Sequence, residues 1–245
     1  MSAPAPSEAR AAGALPQVLN GNAIPGAGRS PLRIEDERLL RGQGRFVGSL
    51  ELPGMVHAVL LRSQHARARL ISIDTRDAEA MPGVLGIFTS ADLIAAGLQP
   101  LGFHAAIPAE HGGEMSAPPR HALAHQEIRH LGEALALIVA ESRYAALDAA
   151  EQIRVDVEPV PAVCGIEAAI APAAPQLWPD APGNVVGRYE YGDDDAVAAA
   201  IQSAAHVVRL RIVNQRVAPT AMEPRGAVGV WNAAEQRGTL HVGSQ

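Results

Sequence analysis

The sequence predicts a mixed α/β fold of the α+β kind, in which short strands pair with one another and short helices connect them. Two observations carry this. Period-two apolar alternation recurs in segments bounded by Gly and Pro, as in 68–74 and 153–158. Between such segments lie Ala-rich stretches with helical periodicity, as in 142–152 and 196–204.

The elements follow in chain order. Residues 1–30 are rich in Ala, Pro, Gly and Ser without either periodicity, which predicts a flexible N-terminal segment that gains too little burial to order itself. Residues 31–47 turn to charged and aliphatic residues and close on Gly42-Gln43-Gly44. This lone G-x-G lacks the strand-then-helix setting of a dinucleotide fingerprint, so a turn before Phe46 is expected rather than a phosphate loop. Strands are expected over Met55–Arg62 and Ala68–Asp74, the second with Leu70, Ser72 and Asp74 on one face and Arg69, Ile71 and Ile73 on the other. Asp74 or Thr75 is suited to cap a helix over 76–81, since a side-chain oxygen there satisfies free first-turn amides. Pro82-Gly83 ends it, a third strand covers 84–89, and a helix over 91–96 follows Ser90, with Gly97 placed for a left-handed stop. Residues 98–120 read as a long surface loop carrying His104 and His111.

A buried strand is expected over 133–140 and an Ala-rich helix over 142–152 with Ala146, Leu147, Ala150 and Ile153 on its packed face. A strand over 153–158 completes this part, and Pro159, Pro161 and the Ala/Pro tract 168–175 mark a boundary. Beyond it the sequence predicts a strand over 184–191, a helix over 196–204 begun by Asp193, Asp194 and Asp195 at the positive end of its dipole, and a strand over 206–214. Strands over 227–231 and 239–242 follow the Glu223-Pro224-Arg225 turn. The chain stops on this apolar β segment with neither closing helix nor polar tail, so the last domain is expected to be incomplete.

Composition excludes several functions. At 48% hydrophobic and 19% charged, with net charge −6, the chain offers no electrostatic footprint for nucleic acid or an anionic membrane. The run Ala134–Ala140 is too short for a membrane span, which needs about 20 apolar residues. One cysteine, Cys164, allows neither an intrachain disulfide nor a Cys-ligated cluster. No signal peptide or twin-arginine pair is visible, and a soluble, cytoplasmic protein is expected.

Each candidate for chemistry meets a structural alternative. His121 and His125 stand four apart, with His130 nearby, but only a helix would bring the first two together, and no glutamate of a zinc-protease box lies between them. Loop histidines in contact with solvent are expected. His65, between Arg62 and Arg67, lies where one strand turns into the next, and backbone hydrogen bonds from Arg62 and His65 explain that cluster. The three aspartates 193–195 read as a helix start rather than a cation site. Glu223 and Arg225, two apart in extended backbone, are expected to pair and fix their turn, which keeps Glu223 ionised and a poor general acid. Cys164 has no adjacent base. On these grounds no residue is assigned a catalytic or metal-binding role.

The order of several motifs goes further. Arg33-Ile34-Glu35-Asp36, Gly44-Arg45-Phe46-Val47, Leu52-Pro53-Gly54-Met55-Val56-His57-Ala58, Arg62-Ser63-Gln64-His65-Ala66, Pro82-Gly83-Val84, His130-Leu131-Gly132-Glu133 and Val160-Pro161-Ala162-Val163 resemble the a/b hammerhead domain of the xanthine dehydrogenase and aldehyde oxidase family's large subunit. Ala204-Ala205-His206, Asn214-Gln215-Arg216, Met222-Glu223-Pro224-Arg225 and Ser244-Gln245 resemble the start of its molybdopterin-binding domain. The resemblance implies a flexible segment 1–30, a hammerhead domain over 31–165, a linker over 166–183 and the N-terminal part of the cofactor domain over 184–245. Where the family pattern has Arg-Ser-Pro-His-Ala-His, this chain has Gln64 for the proline and Arg67 for the last histidine.

In that family a molybdenum cofactor (molybdopterin) hydroxylates an aldehyde or N-heterocycle, or in one branch oxidises carbon monoxide, with oxygen from water and electrons leaving through iron-sulfur and flavin partners. The resemblance places Gln245 near the cofactor. The glycine-rich loop over the metal and the base glutamate lie beyond it in family order. It therefore implies partners in the rest of the molybdopterin-binding subunit and in iron-sulfur and flavin subunits or domains, a small-molecule substrate, and no cofactor binding or turnover by this chain alone. A non-catalytic interaction module and an inactive truncated remnant are the alternatives.

Overall fold

A computed structural model describes residues 33–102, 115–187, 192–215, 217, 218 and 220–243. The chain divides into two compact units, one formed by Leu52–Gln215 and the other by residues up to Glu51 together with Arg216–Gln245.

The larger unit is built on two three-stranded antiparallel sheets. The first has the order β1 (His57–Arg62), β5 (Ala134–Ala140), β3 (Val84–Thr89). The second has the order β4 (Glu127–Ile128), β2 (Ala68–Asp74), β6 (Arg154–Pro159). Central β5 is the apolar run of the sequence, with Leu135, Ala136, Ile138 and Ala140 buried because it has a neighbour on each edge and a packed face. The helix α4 (Arg143–Gln152) lies over it and contributes Ala146 and Ala149 to the core that holds Ile87, Ile138 and Ile153. Its N-terminus is capped by Ser142, whose Oγ accepts the Ala145 amide at 3.1 Å.

Two expectations about faces are corrected. Leu147 is 40% exposed and Ala149 takes its place in the packed face, since small residues let α4 approach the sheet closely. In β2 the strict alternation breaks at an irregularity between Leu70 and Ser72, so Ile71 is 53% exposed while Leu70 and Ile73 both pack inward.

The short helix α2 (Arg76–Glu79) is begun by Asp74, which accepts the Arg76 amide at 3.2 Å and its guanidinium at 2.9 and 2.7 Å, whereas Thr75 makes no capping bond. Thr89 and Asp92 form a capping box on α3 (Ser90–Ala95). Gly97, at φ +82°, closes that helix, its amide donating to the Ile94 carbonyl and the Leu98 amide to the Leu93 carbonyl. Leu101 and Arg120 form an isolated bridge at the ends of the expected long loop, whose His104 and His111 lie outside the described residues.

Residues 160–187, most of them expected as a linker, contain α5 (Ile166–Ala169) and a 3₁₀ turn at Pro182–Asn184. Asn184, at φ +59°, gathers the segment: its Oδ1 accepts the Leu177 amide at 2.7 Å, and its Nδ2 donates to Ala169 at 2.8 Å and Pro175 at 3.1 Å. No strand forms over the described part, 184–187, of the expected strand 184–191. The helix α6 (Asp194–Ser203) is capped as expected by Asp193, which accepts the Ala196 amide at 2.9 Å. The expected strand 206–214 joins no ladder among the described residues, leaving Val208 and Leu210 at 92% and 79% exposure. Its alternation is a strand pattern without a partner edge.

In the other unit, α1 (Asp36–Leu40) ends on Gly42, at φ +69°, with the Gly42 and Gln43 amides donating to Leu39 and Arg38, so the G-x-G is a helix stop. A 3₁₀ turn at Val47–Ser49 follows. The hairpin β7 (Ala227–Asn232) and β8 (Arg237–Val242) pairs Ala227 with Val242 and Asn232 with Arg237, and its turn is held by Asn232, which accepts the amides of Ala234 and Glu235.

Candidate functional site

The segment 121–134 folds so that two kinds of side chain part company. Leu123, Ala124 and Ile128 are buried, and Ala124 donates to the Ala134 carbonyl at 2.7 Å, which fixes the segment against β5. Gln126, at φ +61°, reverses the chain, and its carbonyl accepts the Leu70 amide at 2.9 Å. The polar residues His121, His125 and Arg129 thereby line a cleft of about 410 Å³ together with Leu177 and Trp178.

Glu127 is the electrostatic centre beneath it. Its Oε1 accepts Arg67 Nε at 2.8 Å and its Oε2 lies 3.3 Å from Arg129 Nη2, with the three side chains only 15%, 23% and 17% exposed in the order Arg67, Glu127, Arg129. Two cations share one carboxylate because Arg67 spends its other donors on the carbonyls of Pro161 and Gln176, at 3.3 and 2.9 Å. Arg129 in turn places its guanidinium carbon 3.8 Å from the centroid of the Trp178 ring, a cation–π contact, and its backbone amide donates to Glu133 at 2.5 Å. Arg129 Nε is buried without a hydrogen-bond partner. Burial lowers the Arg129 pKa, with Arg67 acting in the same direction and Glu127 and Glu133 opposing.

The structure brings His121 and His125 together without a helix, their ring centroids 4.9 Å apart and tilted by 48°. His121 is held below the ordinary imidazole range, first by burial and then by the positive neighbours His125 and Arg129. Ser90 Oγ lies 3.4 Å from His125 Nδ1. Among the described residues no group of three or more His, Cys, Asp or Glu is arranged to hold a metal ion.

The strand turn at 62–65 departs from expectation in its donors. Arg62 Nη1 donates to the Gly132 carbonyl at 2.9 Å, but the turn itself is closed by buried Ser63, whose hydroxyl accepts the His65 amide at 2.9 Å and donates to the His65 carbonyl at 3.1 Å. The expected Glu223–Arg225 pair is replaced by a longer-range contact. Glu223 Oε1 accepts the Val47 amide at 3.2 Å, and the carboxylate packs so near Gly243 that a Cβ there would come within 3.2 Å of the same oxygen. Cys164 is an exposed free thiol. Gln245 lies outside the described residues.

Sequence reasoning missed Arg129, Trp178 and Asn184. A signal existed for the first: Glu127 and Arg129 alternate about the apolar Ile128, which places both charges on one side of a short strand.

Residues 41–161 match the aldehyde oxidase and xanthine dehydrogenase a/b hammerhead domain, and residues 177–245 match the molybdopterin cofactor-binding domain. The chain belongs to the xanthine dehydrogenase and aldehyde oxidase family. Quinoline 2-oxidoreductase from Pseudomonas putida 86 superposes with a TM-score of 0.74 at 39% identity, over 88% of this chain and 26% of that one. The nicotine 6-hydroxylase large subunit of Paenarthrobacter nicotinovorans is 36% identical over 89% of this chain and 26% of its own length. The carbon monoxide dehydrogenase large chain of Afipia carboxidovorans is 32% identical over 82% and 25%. The chain thus spans about a quarter of the length of these relatives. The family assignment gives Arg67 a meaning: at a position where the family motif has histidine, an arginine here reaches the segment that joins the two family domains.

Among the described residues of the second domain there is no buried unpartnered polar atom and no metal-ligand cluster.

Proposed function

We propose that this chain supplies the hammerhead domain, over 31–165, and the first strands of the molybdopterin-binding domain, over 184–245, of a molybdenum hydroxylase, joined by the segment 166–183. The observation that carries the reading is the succession of the two family matches, 41–161 then 177–245. The cofactor, when bound in the assembled enzyme, supplies two-electron oxidation of the substrate with oxygen from water. In that assembly this chain acts in packing and assembly, and only its Gln245 lies near molybdenum. It neither binds the cofactor nor turns over alone.

Among aldehydes, N-heterocycles and carbon monoxide, an N-heterocycle is the substrate class best supported, because quinoline and nicotine enzymes are the relatives with 39% and 36% identity. Partners are the rest of the molybdopterin-binding subunit and iron-sulfur and flavin subunits. One relative, 35% identical, is itself named a subunit of a dehydrogenase complex. Among the described residues no helix is long and apolar enough to cross a membrane, and we place the assembly in the cytoplasm.

The test is co-expression of this chain with polypeptides carrying the remaining cofactor domain and the iron-sulfur and flavin centres, followed by dye-reduction assays with quinoline, nicotine, benzaldehyde and carbon monoxide. Heterocycle-dependent reduction, with label from ¹⁸O-water in the product, is expected. An assembled, molybdenum-loaded complex that oxidises none of the four would overturn the reading.

A further inference from the structure

The cleft beside the Arg67–Glu127–Arg129 network has no role in the proposed reaction, yet it has the make-up of a ligand site. Its volume of about 410 Å³ falls in the range that holds a small organic molecule. Its lining holds the apolar side chains of Leu101, Pro119, Ala122 and Leu177 with the Trp178 ring. It also holds Arg120, Arg129, His121, His125 and His130 and, among the described residues, one carboxylate, Glu133.

That carboxylate is already engaged by the Arg129 amide at 2.5 Å. Glu127 is shared between Arg67 and Arg129. Arg129 Nε is buried and has no acceptor among the described residues. His130 Nδ1 donates to the Leu131 carbonyl at 3.0 Å.

Apolar side chains beside cationic donors in one cleft suit an anion with an apolar body. We propose that this cleft binds a small organic carboxylate, its carboxylate held by Arg120, Arg129 and His121 and its apolar part against Leu177 and Trp178. The site is independent of the molybdenum reading, and the chain itself suffices to test it.

The full chain with Trp231→Phe, which leaves Trp178 as the sole tryptophan, would be titrated with benzoate and, separately, with inorganic phosphate, following Trp178 emission. A saturable change with benzoate, at least about tenfold weaker in Arg120→Gln and in His121→Asn, is expected, as loss of one charge-assisted hydrogen bond predicts. Arg41→Gln, an exposed arginine paired with Glu37 in the other unit, should leave binding unchanged. Because Arg120 is exposed, its variant retains the fold, which a melting curve verifies. No saturable response to benzoate, a response unaltered by both variants, or phosphate binding as tightly as benzoate would each overturn the proposal.

Discussion

Arg67 Nε donates to Glu127 Oε1 at 2.8 Å across the start of β2, and the same guanidinium holds the carbonyls of Pro161 and Gln176. One side chain thus fastens the sheet to the chain that leaves it. Removing the shared carboxylate leaves Arg67 and Arg129 as partly buried like charges. Glu127→Ala should therefore cost about 3 kcal/mol, the lower end of the range for a broken buried pair because the side chains keep some solvent contact. Chemical denaturation of the chain checks this, with Glu127→Gln expected to lie between the parent and the Ala variant.

Arg67→His restores the residue of the family motif but cannot reach all three acceptors. It should lower stability by about 2 kcal/mol, the worth of one hydrogen bond to a charged donor, and speed proteolysis within 161–176. Limited proteolysis against the parent chain measures it. Unchanged cleavage would show that Asn184 alone orders the segment.

Asn184 separates backbone from side-chain effects. Asn184→Ala loses three hydrogen bonds and strains a φ of +59°, whereas Asn184→Gly loses only the bonds. Both should destabilise, Ala by about 1 kcal/mol more than Gly. Amide exchange at Leu177 reads the effect where it acts.

How much of this was legible varies with the range of the interaction. β2 over 68–74 and β3 over 84–89 coincide with the expected spans because each is bounded by local turn chemistry. Gly42 and Gly97 mark helix stops for the same reason. The face of β2 was misjudged because the irregularity after Leu70 arises in its pairing with β6, remote in sequence. Likewise Glu223 could be expected to meet Arg225, two residues on, but its carboxylate goes to Val47, far earlier in the chain, which no local spacing reveals. The cleft was half visible: His121 and His125 drew attention as a pair, while Arg129 and Trp178 meet only through the tertiary fold.

His121 predicts a pH dependence. Its folded pKa lies below the unfolded value of about 6.5, so between the two the unfolded chain binds more protons. Stability contributed by the neutral imidazole is complete above that range and is lost as pH falls through 6.5 towards the folded pKa. His121→Asn should flatten this part of the profile in denaturation midpoints taken across the mildly acidic to neutral range. A bound carboxylate, which favours the charged imidazole and so raises its folded pKa towards the unfolded value, should make the loss smaller.

The core makes a simpler claim. Ile138 is fully buried at the centre of β5, beneath α4. Ile138→Ala should cost about 3 to 5 kcal/mol and Ile138→Val about 1 kcal/mol, both read from urea midpoints.

The reading of this chain as the hammerhead and first cofactor-domain strands of a molybdenum hydroxylase is tested most directly by metal content. Molybdenum would be quantified by mass spectrometry in the complex purified through a tag on this chain after co-expression with the remaining cofactor domain, and in the chain purified alone. The account predicts molybdenum approaching one atom per chain in the complex and none above background in the chain alone. A stable complex free of molybdenum, or a chain that carries the metal by itself, would contradict it.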